Sequence, residues 1–330
     1  TLSYKWDGVY DLPNSFNGYK ILDEHNNQVP IQKTKDGICI YVQIPPLTFS
    51  TFKIEKATKT KIIKDKNLTL ENNFIKYKFN KNGNLISAYD KEIKKQLVQK
   101  PGNILSLYED RPNDWDAWDI DFFYREMLLE NATVNNFSCD SSGPIKNSID
   151  FRFSIGQSSI KQKISLDKNS KELKFDTNVD WKESHKMLRV KFPVEVQSEN
   201  ASFDIQYGYV KRNTHRNTSW DKAKFEVVGH KYADLSNNDF GVALMNDCKY
   251  GYMIHDNVID LNLLRSPKNP DPDADQGLHN FTYSLFPHNG DLINSNVIET
   301  STKLNQSPLM FDGVKTNISM PVSLTGENIE

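Results

Sequence analysis

The sequence predicts an all-β protein with antiparallel strands. Apolar and polar residues alternate in many segments, as they do in strands with one buried face. The clearest segment is residues 187–196, where every second position from Leu188 to Val196 is apolar. We find no convincing stripe of apolar residues at helical spacing over eleven or more positions. These two observations favour a fold built almost entirely from antiparallel sheets.

Further strands are predicted along most of the chain. A hairpin is predicted where Asn82-Gly83 separates residues 74–79 from residues 85–86. Pro193 lies inside the alternating segment and indicates an edge strand or a bulge, because proline has no N–H for a central ladder. The other predicted strands are residues 38–44, 173–181, 203–210, 224–229, 240–246, 251–255 and 280–286.

A lysine- and threonine-rich stretch at residues 56–71 divides the chain. We predict a small β-sandwich module at residues 1–57 and a large antiparallel supersandwich of two sheets at residues 58–330. The chain starts at Thr1 without a methionine and stops just after a strand-like run at residues 318–324. We therefore expect it to be part of a longer polypeptide.

Charge and cysteine content argue against several classes of protein. The 41 Lys and Arg residues are balanced by 43 Asp and Glu residues, which argues against binding to nucleic acid or to an anionic membrane. No run of about 18 apolar residues is present to span a bilayer. The cysteines Cys39, Cys139 and Cys248 are odd in number and far apart, so they favour buried thiols in a cytoplasmic protein over disulfides or a zinc site.

The most informative segment is residues 107–124, where six carboxylates fall within thirteen positions around Trp115 and Trp118. Carboxylates need water, hydrogen bonds or cations, whereas indole rings favour partial burial. A sugar-binding cleft satisfies both, since sugars offer hydroxyls and an apolar ring face. A calcium loop is disfavoured because the segment has no glycine for the sharp turn. Capping of strand ends by the carboxylates remains an alternative.

Two further segments carry arginines. Residues 207–221 interleave aromatic and basic residues, a pattern of nucleic-acid contact that the balanced charge disfavours. We expect Arg212 and Arg216 to form ion pairs with the acidic segment instead. Arg265 ends an apolar strand before a loop rich in proline and aspartate, and it is either a cleft residue or the partner of a nearby aspartate.

These segments resemble the β region of glycoside hydrolase family 38 α-mannosidases. The first block is Leu-Tyr-Glu-Asp-Arg-Pro at 107–112 with Trp-Asp-Ala-Trp-Asp-Ile-Asp at 115–121. Blocks within residues 207–221, 264–271 and 281–291 follow in the same order, so the resemblance covers nearly the whole chain. It implies a small β-sandwich followed by a supersandwich that is similar to galactose mutarotase.

The resemblance also implies a function. Members of the family are retaining α-mannosidases that use two carboxylates and a zinc ion. That chemistry belongs to an N-terminal catalytic domain with no counterpart here, so we assign no catalytic residue or metal ligand to this chain and expect zinc in the missing domain. Mannose-containing oligosaccharides, the missing catalytic domain and a second copy of the chain are the expected partners. The residues expected to line the sugar site are Trp115, Asp116, Trp118, Asp119 and Arg265.

Two alternative functions remain open. One is a free-standing carbohydrate-binding module, which needs no catalytic domain. The other is a mutarotase-like epimerase, whose chemistry requires a histidine paired with a carboxylate. His215, His255 and His288 are candidates for that histidine, but no spacing in the sequence selects a partner for them.

Overall fold

The computed structural model describes residues 4–63, 67–98, 100–311 and 313, and it confirms the all-β prediction. Within these residues, five antiparallel sheets of three, three, four, six and nine strands account for the architecture. The helical elements are α1 (Ser219–Ala223), α2 (Val297–Asn305) and the 3-10 turns Asn14–Phe16 and Phe122–Glu126. No helix in this part of the chain has the length and apolar content needed to cross a membrane.

The strands, in chain order, are β1 (Trp6–Pro13), β2 (Tyr19–Leu22), β3 (Gln28–Val29), β4 (Ile31–Lys33), β5 (Gly37–Ile44), β6 (Lys53–Lys56), β7 (Thr69–Glu71), β8 (Ile75–Phe79), β9 (Leu85–Asp90), β10 (Lys95–Val98), β11 (Ile104–Glu109), β12 (Leu128–Asn131), β13 (Thr133–Ser141), β14 (Lys146–Ile155), β15 (Ser158–Asp167), β16 (Leu173–Trp181), β17 (Lys186–Pro193), β18 (Asn200–Ile205), β19 (Gly208–Asn213), β20 (Val227–Val228), β21 (Tyr232–Ser236), β22 (Phe240–Asn246), β23 (Gly251–His255), β24 (Val258–Arg265) and β25 (Gly277–Asn289).

The first six strands build two three-stranded sheets, β1-β5-β4 and β3-β2-β6. Their core cluster consists of Trp6, Leu12, Ile21, Ile38, Ile40 and Val42. Lys146 of β14 reaches this part of the chain and pairs with Asp11 at 2.8 Å. The Gln32 side chain, which is 4% exposed, accepts the N–H groups of Ile145 and Lys146. The domain boundary after residue 57 stays a prediction.

The four-stranded sheet has the order β10-β9-β8-β7 and contains the predicted hairpin. Asn80 Oδ1 accepts the N–H groups of Asn82 and Asn84 at 2.9 and 3.0 Å. Gly83 has φ +74°, and a Cβ there would lie 2.7 Å from Cζ of Phe153. Glycine is therefore required at this turn both by the backbone and by the space available.

The six-stranded sheet (β12-β11-β17-β24-β23-β20) and the nine-stranded sheet (β13-β14-β15-β16-β25-β22-β21-β18-β19) share one large hydrophobic core with the four-stranded sheet. Strand β16 illustrates why alternation predicts this arrangement. Its alternate residues Leu173, Phe175, Val179 and Trp181 are fully buried in that core. Burial of each such side chain contributes about 1.5–3 kcal/mol.

Three local predictions differ from the structure. Pro193 ends β17, which lies between β11 and β24, so β17 is not an edge strand and has no bulge at this residue. Pairing of β17 with β11 stops at Lys191, so the missing N–H of Pro193 interrupts no ladder on that side. The predicted strand 203–210 is a hairpin of β18 and β19 with Tyr207 at φ 63°. The predicted strand 224–229 is reduced to β20, and residues 318–324 lie outside the described residues.

Candidate functional site

The acidic and aromatic segment forms a loop at one end of the six-stranded sheet. It leaves β11 and enters the 3-10 turn Phe122–Glu126, and we call residues 110–121 the acidic loop. Trp115 has φ 55°, and its carbonyl accepts the N–H groups of Trp118 and Asp119 at 2.8 and 2.9 Å. The sequence therefore folds into a tight turn that carries both tryptophans.

Arg265 attaches the acidic loop to the end of β24. Its Nε and Nη2 donate to the carboxylate of Asp110, and its Nη1 donates to the carbonyl of Ala117 at 3.1 Å. Nη2 also donates to the carbonyls of Asp116, at 2.9 Å, and Asp119. All three guanidinium nitrogens are therefore used by the loop. These are the contacts of a positioning residue, and direct contact of Arg265 with sugar stays a prediction.

Asp110 is almost completely buried by this arrangement. Its side chain is 1% exposed, against 13% for Arg265. Burial raises the pKa of Asp110, because the charged form loses its water, while the Arg265 guanidinium acts in the opposite direction. Removing the guanidinium would leave a buried carboxylate without its charge partner, so the two residues form one structural unit.

Asp116 faces the other side of the loop and ties it to the segment after β24. Its carboxylate accepts the N–H groups of Lys268 and Asn269 at 2.7 and 3.0 Å. The pKa of Asp116 is lowered, because these bonds stabilise the charged form and outweigh the opposite effect of burial. His185 Nδ1 lies 3.4 Å from Asp116 Oδ1, and the two side chains form an ion pair only when the histidine is protonated.

The remaining predicted site residues point to solvent. Trp115 and Trp118 are 70% and 71% exposed, and Asp119 is also exposed. Within the described residues, the Asp119 carboxylate has no hydrogen-bond or ion-pair partner. Both indoles border an open groove of about 610 Å³. Its lining residues are Arg111, Pro112, Asn113, Asp114, Trp115, Asp116, Trp118, His185, Asn269 and Pro270.

The structure therefore brings Trp115, Trp118 and Asp116 together on one groove and places Arg265 behind the loop. Sequence reasoning missed His185 and Asn269, which line the same groove. Asn269 lies in the proline-rich segment that the sequence singled out. No spacing in the sequence connects His185 with the acidic loop, so that contact required the fold.

A buried charged cluster supports the 3-10 turn that follows the acidic loop. Arg189, with 0% exposure, donates from Nε to Asp260 at 2.7 Å and from Nη1 to Glu226 at 3.1 Å. Glu226 also accepts the hydroxyl of Tyr124, which belongs to the turn. Burial raises the pKa of Glu226, but Asp260 and Glu226 still raise the pKa of Arg189 against the effect of its own burial.

The predicted ion pairs between the acidic segment and the arginines of residues 207–221 are wrong for the described part of the chain. Arg212 donates to the carbonyl of Val228 at 2.9 Å and lies over the ring of Phe203, with its Cζ 4.8 Å from the centroid. Arg216 instead lies near the ring of Phe122, with its Cζ 5.6 Å from the centroid. Both side chains therefore contact aromatic rings and form no ion pair with the acidic segment within the described residues.

The described residues do not fit a zinc centre or an exposed acid–base pair on His288. No group of three or more His, Cys, Asp and Glu side chains among them is arranged to hold a metal ion. His288 Nε2 lies 2.8 Å from Asp234, but these side chains are 3% and 0% exposed, so a sugar has no access to the pair. Cys39 is buried as expected, whereas Cys248 is exposed, which corrects the expectation of a buried thiol at that position.

Comparison with known proteins identifies the family. Residues 70–273 match the C-terminal domain of glycosyl hydrolases family 38. Alpha-mannosidase G of Dictyostelium discoideum is 37% identical over 303 residues, which are 84% of this chain and 28% of that protein. The chain belongs to glycoside hydrolase family 38. Human alpha-mannosidase 2C1 is 39% identical over 247 residues, or 73% of this chain and 24% of that protein.

A solved structure of an alpha-mannosidase shows the same fold. The crystal structure of an alpha-mannosidase from Enterococcus faecalis V583 matches with a TM-score of 0.69 at 16% identity, and the match covers 92% of this chain and 44% of that one. This family 38 chain spans about a quarter of the length of the curated relatives described above.

Proposed function

We propose that this chain is the non-catalytic C-terminal β region of a retaining α-mannosidase and that its acidic loop forms one wall of the mannose site. The observation that carries the proposal is the groove beside Trp115 and Trp118, whose indoles are exposed although indoles favour partial burial. A sugar ring lies with its C–H face on an indole, and the free Asp119 carboxylate accepts sugar hydroxyls. Arg265 and Asp116 hold these groups in place.

The proposed substrates are mannose-containing oligosaccharides, since the relatives are named alpha-mannosidases. Hydrolysis itself belongs to the remainder of the longer polypeptide, which supplies the two carboxylates and the zinc ion. The chain by itself is then inactive. Its contribution is to position and hold sugar on the loop side of the cleft. The cytoplasmic location and a homo-oligomeric state remain predictions.

We further propose that the edge of the six-stranded sheet docks the rest of the polypeptide. Among the described strands, β12 is the last one of that sheet and has β11 as its single partner. Leu128 and Leu129 are each 48% exposed, and Phe123 and Met127 beside them are 65% and 46% exposed. Large exposed apolar patches mark interaction sites. The relatives are longer than this chain, and we propose that the additional part of such a polypeptide is the partner. This docking edge is residues 127–129 with Phe123.

The test uses the full-length protein with Trp118→Ala. We expect kcat/KM for an aryl α-mannoside to fall about tenfold or more, because ring stacking is lost, while the circular dichroism spectrum is unchanged. Trp220→Ala is the matched control, since Trp220 is 78% exposed but lies outside the groove. Equal kinetics of both variants and the wild type would contradict the proposal.

A second measurement separates this proposal from a free-standing carbohydrate-binding module. The 330-residue chain is assayed for hydrolysis of the aryl α-mannoside and titrated calorimetrically with mannose. We expect neither turnover nor measurable affinity, because half of the proposed pocket is missing. Measurable mannose affinity without hydrolysis would favour the binding module, and turnover at an ordinary enzymatic rate would contradict a non-catalytic role.

A further inference from the structure

Three positive side chains converge on the ring of Phe122. The guanidinium carbons of Arg125 and Arg216 lie 5.5 and 5.6 Å from the ring centroid, and Lys222 Nζ lies 5.4 Å from it. The three side chains come from the 3-10 turn, from the segment after β19 and from α1. We call Arg125, Arg216 and Lys222 the Phe122 cation cluster. An aromatic face attracts cations, but it does not neutralise their positive charge.

No carboxylate of the described residues pairs with this cluster. None of the three side chains has a hydrogen bond or an ion pair with a described residue. Nη1 of Arg125 is buried and has no hydrogen-bond partner at all. A buried guanidinium N–H without an acceptor is costly, and native proteins almost always supply one. The cluster is therefore incompletely satisfied within the described residues.

Two acidic residues, Glu226 and Asp256, act on Arg216 through their charge without a direct ion pair. The two oxygens of Glu226 are taken by Tyr124 and by Arg189. The side chain of Asp256 is 75% exposed and lies 3.4 Å from His255. Burial and the neighbouring charge of Arg125 lower the pKa of Arg216, and the negative charges of Asp256 and Glu226 offset this effect only in part.

We infer that the Phe122 cation cluster binds a compact oxyanion of the phosphate monoester class. Guanidinium groups match phosphate oxygens with two parallel N–H donors, and lysine adds a point charge. A phosphate dianion neutralises most of the threefold charge, whereas a carboxylate carries a single charge and two oxygens. The inference goes beyond the proposed mannosidase role, because it concerns a different set of side chains and a charged ligand.

The positive charge around the site is local. The chain as a whole has a net charge of −2, so attraction of phosphate by a generally basic protein does not explain binding here. The interleaved basic and aromatic residues of the segment 207–221 contribute Arg216 to the cluster, and the next residue after that segment is Lys222. Phosphate recognition therefore accounts for a sequence pattern that the sugar groove leaves unused.

The test is calorimetric titration of the 330-residue chain with inorganic phosphate at pH 7.5, with hexose 6-phosphate and acetate in parallel. We expect phosphate to bind, and to bind at least tenfold more weakly to the double variant Arg125→Gln and Arg216→Gln. Lys222→Gln, on the exposed surface of α1, should weaken binding about threefold. The control Arg152→Gln removes an exposed arginine of β14 and should leave affinity within twofold.

The comparison of ligands identifies the source of the phosphate. Tighter binding of hexose 6-phosphate than of inorganic phosphate indicates a phosphorylated sugar, and equal binding indicates the free ion. Higher salt should weaken both, since the contact is ionic. Unchanged phosphate affinity in Lys222→Gln and in the folded double variant would overturn the inference, and so would acetate binding as tight as phosphate. Neither result bears on hydrolysis of mannosides.

Discussion

The guanidinium of Arg265 donates to both carboxylate oxygens of Asp110, which lies 155 positions earlier in the chain. Arg265 is the last residue of β24 and Asp110 directly follows β11, and β17 separates these two strands in the sheet. The contact therefore closes the acidic loop across the end of three neighbouring strands. Because Asp110 is buried, its carboxylate depends mainly on this arginine for charge compensation.

Replacing Arg265 with Met should destabilise the chain strongly. We expect a loss of about 3–5 kcal/mol in the free energy of unfolding, because a buried carboxylate is left without its charge partner. The measurement is urea denaturation followed by circular dichroism. Arg111→Met is the control, since Arg111 belongs to the same loop but has a side chain that is 63% exposed and pairs with Glu109. Arg111→Met should lower the free energy of unfolding by less than about 1 kcal/mol. Equal losses for both variants would argue against Arg265 and Asp110 as one structural unit.

Asp116 gives a prediction about pH. Its pKa is lowered in the folded chain, so its contribution to stability is present above its ordinary value of 3.8 and is lost as the pH falls through the lower folded value. Asp116→Asn should therefore cost about 1 kcal/mol at pH 6 and nothing at strongly acidic pH. Thermal unfolding of both proteins from pH 6 down to the acid limit measures this difference. A gap between them that widens as the pH falls would contradict the assignment.

The hairpin glycine gives a prediction about the scaffold. Gly83→Ala should destabilise the chain by about 1–3 kcal/mol, because φ +74° disfavours an L side chain and the new Cβ meets Phe153. Gly208→Ala is a matched control in another hairpin, where a Cβ has no atom within 4 Å. Chemical denaturation compares the two variants. Similar midpoints would show that neither the backbone conformation nor the contact limits position 83.

The docking edge predicts an effect on association rather than on stability. Leu128→Asp combined with Leu129→Asp should weaken binding of the 330-residue chain to the separately produced remainder of the polypeptide at least tenfold, because the apolar contact becomes charged and must be desolvated. Ile86→Asp is the control, since Ile86 is 39% exposed on the four-stranded sheet. Surface plasmon resonance measures both. Equal affinities would place the docking surface elsewhere.

Strand positions were predictable wherever apolar and polar residues alternate and the apolar residues pack into the continuous hydrophobic core. Residues 173–181, 240–246 and 251–255 were predicted with the bounds that β16, β22 and β23 have. The hairpin of β18 and β19 was missed because its turn uses Tyr207 in a left-handed conformation, which the residue type does not signal. Helix α2 was missed because its nine residues are too few for a clear helical period.

The site was predictable in composition but not in geometry. Carboxylates mixed with tryptophans indicated a polar surface with flat apolar faces, and Trp115 and Trp118 are exposed on such a surface. The choice for Arg265 between a cleft residue and an ion pair stayed open, because it depends on the burial of Asp110, and burial is set by the packing of distant strands. The aromatic neighbours of Arg216 were unpredictable for the same reason.

The place of β25 in the nine-stranded sheet has a consequence during translation. This strand joins two groups of four strands, because it pairs with β16 on one side and with β22 on the other. During synthesis, one edge of β16 stays unpaired while roughly a hundred further residues are made. Only then can Leu285 of β25 pair opposite Leu173. A nascent chain that stalls in this interval exposes the unpaired N–H and C=O groups along the edge of β16. Chaperones should therefore bind such chains most strongly before β25 has emerged, and no longer afterwards.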